Sequence, residues 1–192
     1  VAGIIASKGW NNIGGRGVAP NAGLIGYNYL EAGSDSNEVL SFGTNNARAT
    51  EVDIFNLSYG VDGYDNNAES DGYGKTRFPY YIGSFNSTAL VQEAYKYGAT
   101  TLRSSKGALY IKSSGNGFNT YSTNGSSCGE SAGTDGAGNT VTADDDGAMS
   151  CTIAAMDNQT AVPYQIVVGA LNATGIKSSY STPGASLWVS SF

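Results

Sequence analysis

Four short apolar runs of strand length punctuate this chain, at 23–30, 52–59, 108–114 and 164–171. Segments of helical pattern separate the first three. The stretch 36–50 has a helical start, with Asp35 or Ser36 as the cap, Glu38 in the first turn, and Val39, Leu40 and Phe42 as a short apolar stripe. The stretch 87–105 sets Leu90, Val91, Ala94, Tyr95 and Leu102 near helical spacing. Strands that read as nearly continuous apolar runs are buried on both faces, and their alternation with helices requires parallel crossovers. The expected fold is therefore α/β, built around a parallel sheet, with 1–192 as one domain or a large part of one. In such sheets functional groups gather at the carboxyl ends of the strands. Here those ends are Tyr29-Leu30, Ser58-Tyr59-Gly60 and Ser114-Gly115-Asn116.

The rest of the chain reads as connection. Residues 1–7 have the small and apolar character of a helix, and 8–20 form a glycine-rich turn region. Long loops are expected at 61–85 and 115–163, and short further strands at 176–180 and 186–189. The 27 glycines and a charged content of only 14% agree with many turns.

Charge and cysteine usage bound the function. A net charge of −6 leaves no basic stripe to neutralise phosphates, which argues against a nucleic-acid partner. No apolar run approaches the roughly 20 residues of a membrane helix. The two cysteines, Cys128 and Cys151, lie without a histidine or a Cys-x-x-Cys pair, so no zinc site is expected. They are expected to form a disulfide, worth roughly 3 kcal/mol in the chain-entropy model and implying an oxidising compartment. Two free thiols are the other reading. Chance in an Asn- and Thr-rich chain accounts for the sequons at Asn56, Asn86, Asn124, Asn158 and Asn172.

Two strand ends carry candidate chemistry. Ser113-Ser114-Gly115-Asn116-Gly117 follows an apolar strand and opens a loop, so a side-chain amide there can point into a cleft. A plain Gly-Asn-Gly turn is the alternative. Asn56-Leu57-Ser58-Tyr59-Gly60 ends the second run, and it too reads either as a site or as a strand stopping at a glycine turn.

Taken in order, 1–6, the Gly115-Asn116 motif and 180–192 resemble the central part of a subtilisin-like serine protease domain. The resemblance extends over nearly the whole chain, least clearly over 61–85 and 119–160. It implies a three-layer parallel-sheet fold, incomplete here, and hydrolysis of peptide bonds by a serine endopeptidase. It assigns Asn116 as the side-chain donor of the oxyanion hole. It assigns Ser58, Tyr59 and Gly60 as substrate-binding positions on a strand edge that takes up extended peptide. Asn11-Asn12-Ile13-Gly14-Gly15 resembles a calcium-binding loop of the family, implying the Asn11 side chain and the carbonyls of Ile13 and Gly15 as ligands. A plain turn is the other reading of those residues. The stretches 103–118 and 164–188 are closer to the kexin- and furin-like branch, in which acidic residues select basic substrates. Asp62, Asp65 and Asp71 are the candidates for that role, against a solvated acidic loop. Asp144, Asp145 and Asp146 read as calcium ligands or as a solvated turn.

In the family the run resembling 1–6 follows the catalytic histidine motif, and the run resembling 180–192 precedes the nucleophilic serine motif. This chain has no histidine. The resemblance therefore implies that the triad lies outside it, that the chain alone is inactive, and that the parent is secreted. A degenerate protease or a binding and scaffold module is the alternative. The family motifs that are absent fall at the ends and not within the chain, which favours part of an active enzyme. The resemblance also places the strand of the catalytic aspartate between 23–30 and 52–59. Self-association or disorder around 1–30 is expected in its absence.

Overall fold

A computed structural model describes residues 1–31, 34–44, 47–60, 89–118, 122–123, 126–127, 154, 160 and 162–191. Its ordered elements are α1 (Ala2–Ala6), α2 (Asp35–Ser41), a 3-10 turn (Ala47–Glu51), β1 (Ile54–Leu57), α3 (Ala89–Ser105), β2 (Leu109–Ser113), a small antiparallel pair β3 (Ser122–Thr123) and β4 (Ser126–Ser127), then β5 (Gln165–Ala170) and β6 (Leu187–Ser191). The main sheet has the order β1-β2-β5-β6, and every pairing in it is parallel. This is the α/β architecture expected from the apolar runs.

Register explains the core. Phe55, Tyr110 and Gln165 stand opposite one another across three strands, and so do Leu57, Lys112 and Val167. All six are buried. With a side-chain period of two, they share one face of the sheet. α3 covers that face with Val91, Ala94, Tyr95 and Leu102, and Phe42 joins from the end of α2. The centre is aromatic: Phe55 stacks on Tyr110 at 4.7 Å, Tyr95 meets Tyr110 edge-on at 5.0 Å, and Phe42 lies 4.4 Å from Tyr95. Burying each such side chain stabilises by about 1.5–3 kcal/mol. Gly98 is what lets Tyr110 reach under α3, because a Cβ there would collide with the Tyr110 hydroxyl. That hydroxyl donates to the carbonyl of Phe42 at 2.9 Å.

On the opposite face Ile54 and Leu109 are exposed and Ile111, Ile166 and Val168 are half-buried. The described residues therefore supply one helical layer over the sheet.

Several boundaries differ from expectation. The run 23–30 forms no strand: it has no ladder partner among the described residues, and Leu24 and Leu30 are exposed. An apolar run becomes a strand only where a neighbouring backbone takes its N–H and C=O groups, and among the described residues β1 pairs with β2 alone. The helix expected over 36–50 ends at Ser41, with Gly43 at φ +106° breaking it before the 3-10 turn. Its cap is neither Asp35 nor Ser36 but Ser34, whose Oγ accepts from the N–H of Asn37 at 3.2 Å. The strand expected at 176–180 is reduced to one bridge between Leu171 and Lys177, whereas β6 extends past the expected 186–189. Residues 61–85 and most of 119–160 lie outside the described residues, and with them Cys128, Cys151, Asp62, Asp65, Asp71, Asp144, Asp145 and Asp146.

Candidate active site

The parallel register brings the two candidate strand ends together. Leu57 stands opposite Lys112, so the chain leaves β1 as Ser58-Tyr59-Gly60 beside the point where it leaves β2 as Ser114-Gly115-Asn116. One mouth at the carboxyl edge of the sheet thus carries both motifs, where an α/β sheet places its functional groups.

Lys112 ties the two ends. It is buried on the helix-covered face, and its ammonium donates to the carbonyl of Tyr59 and to that of Ser113, the latter at 3.4 Å. The same ammonium lies 5.8 Å from the centre of the Tyr59 ring. Tyr59 in turn meets the ring of Tyr29 at 5.1 Å, so the run 23–30 reaches the mouth although it is not a strand. Ser58 is exposed, and its Oγ accepts from the side-chain amide of Asn56 at 2.9 Å. Gly60 is exposed beyond it.

Asn116 sits at a bend directly after β2 and is exposed. Among the described residues its side chain forms no hydrogen bond, whereas its neighbours are well held. Ser114 donates its N–H to the carbonyl of Val168 at 2.9 Å, and the Phe118 N–H donates to the carbonyl of Tyr180 at 3.2 Å. Gly115 adopts φ +98°, a conformation that favours glycine. A primary amide on a rigid turn at a sheet edge can donate to an oxygen that gains negative charge in the mouth.

The stretch 171–183 forms the far wall of this loop. The Asn172 side-chain oxygen accepts from the N–H groups of Thr174 and Ile176, both at 3.0 Å, closing a tight turn. The turn sends Lys177 back over the Phe118 ring, 3.4 Å from its centre. Burial lowers the Lys177 pKa from the ordinary lysine value. Sequence reasoning passed over Lys112 and the wall at 177–183. A lysine inside an apolar strand run was the available signal for the first; the second shows only when the chain folds back.

The loop at 11–15 is a turn. Asn11 Oδ1 accepts from the N–H of Ile13 at 3.1 Å, Gly14 has φ +62°, and Asn11, Ile13 and Gly15 are all exposed. Among the described residues no three acidic, histidine or cysteine side chains gather in a metal-binding group. Calcium takes six to eight oxygens. One amide oxygen and two carbonyls do not make that set by themselves.

The architecture and the paired strand ends define a parallel α/β domain with its candidate site at the carboxyl edge of the sheet. The model of the Subtilase family (Peptidase_S8) matches residues 1–191, and the chain belongs to that family. It is 31% identical over 193 residues to the Aeromonas extracellular serine protease of Aeromonas sobria, covering 99% of this chain and 26% of that protein. It is 30% identical over 116 residues to Furin-like protease 2 of Drosophila melanogaster, covering 60% of this chain and 6% of that protein. Its fold superposes on the crystal structure of the serine protease of Aeromonas sobria with a TM-score of 0.66 and 27% identity, over 98% of this chain and 27% of that one. The complex of that protease with the chaperone ORF2 gives 0.68 and 26% over the same shares. The sheet is thus part of a subtilisin-like domain, and the chain spans about a quarter of the length of its Aeromonas relative.

Proposed function

We propose that this chain is the substrate-binding and oxyanion-hole portion of a secreted serine endopeptidase. The observation that carries the reading is the placement of Asn116 beside Ser58-Tyr59-Gly60 at one edge of a parallel sheet. Peptide hydrolysis by a serine builds negative charge on the scissile carbonyl oxygen, and the Asn116 amide donates to that oxygen. A preorganised donor of this kind contributes about 3–4 kcal/mol to the transition state. The backbone leaving β1 takes up the substrate as an added strand, and Gly60 leaves room for a substrate side chain beside it.

The chain has no histidine, so it does not itself carry the imidazole base of a serine-histidine-aspartate triad. The base, its orienting carboxylate and the nucleophile belong in this reading to the rest of the parent, and the chain alone is inactive. Secretion is supported by the name of the Aeromonas relative, an extracellular protease. A Cys128–Cys151 disulfide fits the same compartment. The match to Furin-like protease 2 supports the kexin- and furin-like branch, and a preference for basic substrates is part of this proposal. Calcium at 11–15 requires ligands beyond Asn11, Ile13 and Gly15.

The reading is tested by Asn116→Ala in the full-length parent. A kcat lower by about 10²–10³ with KM little changed is expected, because the donor acts on the transition state. An unchanged kcat removes Asn116 from the mechanism. The 192-residue chain alone is expected to leave a serine-directed fluorophosphonate unreacted, and stoichiometric labelling of any of its serines contradicts the division of labour.

A further inference from the structure

The loop that carries Asn116 is gripped from both sides by a single residue. The Thr182 N–H donates to the carbonyl of Gly115 at 3.1 Å, and Thr182 Oγ1 accepts from the N–H of Gly117 at 2.8 Å. These contacts bracket Asn116 with one residue on each side. Thr182 is only 5% exposed. Its side chain is β-branched and stiff at χ1, and Pro183 after it restricts its backbone to extended conformations. The segment is itself anchored. Ser181 Oγ accepts from the N–H of Ala170 at 2.9 Å and lies 3.5 Å from Ser114 Oγ. The carbonyl of Pro183 accepts from the N–H of Ala154 at 2.7 Å. The fit extends to the glycine: a Cβ on Gly115 would stand 3.2 Å from Thr182 Oγ1.

We propose that Thr182 is a positioning residue for Asn116, holding the peptide units on either side so that the exposed amide keeps one direction toward the reacting carbonyl oxygen. This rests on Asn116 being the oxyanion donor. The Asn116 side chain has no hydrogen bond of its own among the described residues, so the backbone held at Gly115 and Gly117 is what fixes the origin and initial direction of its Cα–Cβ bond. An amide that reorients between turnovers stabilises the developing charge less than one already aimed at it. Thr182 has no need to touch substrate to act in this way.

The experiment uses the full-length parent with a peptide substrate. Thr182→Val keeps the shape and removes the acceptor for the Gly117 N–H. It is expected to lower kcat about ten- to a hundredfold with KM within about threefold. Thr182→Ser restores the oxygen and is expected to return kcat to within about threefold of the parent. In an Asn116→Ala background Thr182→Val is expected to cause no further loss, since residues acting through one another are not additive. A merely structural role would multiply fully onto Asn116→Ala, and that result overturns the proposal. So does an unchanged kcat in Thr182→Val when Asn116→Ala alone is impaired, which leaves the oxyanion assignment standing. If Asn116→Ala has no effect, the oxyanion assignment fails first and Thr182 has nothing to position. Should the valine variant not fold, Thr182→Ala removes the same oxygen with less bulk and is held to the same outcomes.

Discussion

Two stretches of this chain read alike in sequence and fold differently. The runs 23–30 and 52–59 are both apolar, both of strand length, and both reach the mouth of the site. The second becomes β1, with Phe55 and Leu57 buried against α3 and β2. The first remains outside the sheet with Leu24 and Leu30 exposed, and the whole stretch 1–31 has Gly17 as its one buried residue. Apolar composition makes a strand possible, and a backbone partner makes it a strand. Local pattern describes one side of a bond that has two.

The largest expected separation between the two regions is in side-chain truncation. Phe55→Ala removes a ring stacked on Tyr110 and is expected to destabilise the 192-residue chain by about 3–5 kcal/mol in urea unfolding. Leu24→Ala, at a side chain already in water, is expected to stay within about 0.5 kcal/mol. Comparable losses at both positions would erase the distinction.

A glycine pair sharpens it at smaller scale. Gly98→Ala drives a methyl into the Tyr110 hydroxyl and is expected to cost about 1–3 kcal/mol despite the better helix former. Gly26→Ala meets nothing within 4 Å and is expected to be neutral to within about 0.5 kcal/mol. A thermal melt in which both shift Tm alike would show that Tyr110 is not packed under α3.

The smallest effect concerns Tyr110 alone. Burial raises its pKa well above the ordinary tyrosine value of 10.0. The folded chain therefore keeps this proton where the unfolded chain loses it. Above about pH 10 the unfolded state binds fewer protons, so this contribution to stability is present below pH 10 and is lost as pH rises. Tyr110→Phe is expected to cost about 1 kcal/mol at neutral pH, through the hydrogen bond to Phe42, and to flatten the alkaline limb of the stability profile. An alkaline limb identical in the two proteins would place the titration elsewhere.

Much of this was legible in the chain. The strands at 54–57, 109–113 and 165–170 follow from apolar runs bounded by polar or glycine residues, and α3 follows from the spacing of Val91, Ala94, Tyr95 and Leu102. Asn116 and Ser58-Tyr59-Gly60 were singled out as strand-end motifs that resemble those of a family, and the parallel register sets their two strand ends side by side. What was not legible depends on pairing at a distance. The failure of 23–30 to form a strand goes with the lack of a pairing neighbour among the described residues. The Ser34 cap was masked by two adjacent residues of equal capping character. Lys112 reads as an error in an apolar strand until its ammonium is seen on the carbonyl of Tyr59, and Thr182 is an unremarkable threonine 66 residues after Asn116 until the chain returns.

The central claim is that Asn116 and the 58–60 edge act on one peptide. The most direct measurement is a crystal structure of the full-length parent with a peptidyl phosphonate bound covalently to its nucleophile. The account expects the phosphonyl oxygen at about 2.7–3.1 Å from the Asn116 side-chain nitrogen, with the peptide backbone paired along Ser58-Tyr59-Gly60. An oxygen turned away from Asn116, or a peptide lying off that edge, would contradict it.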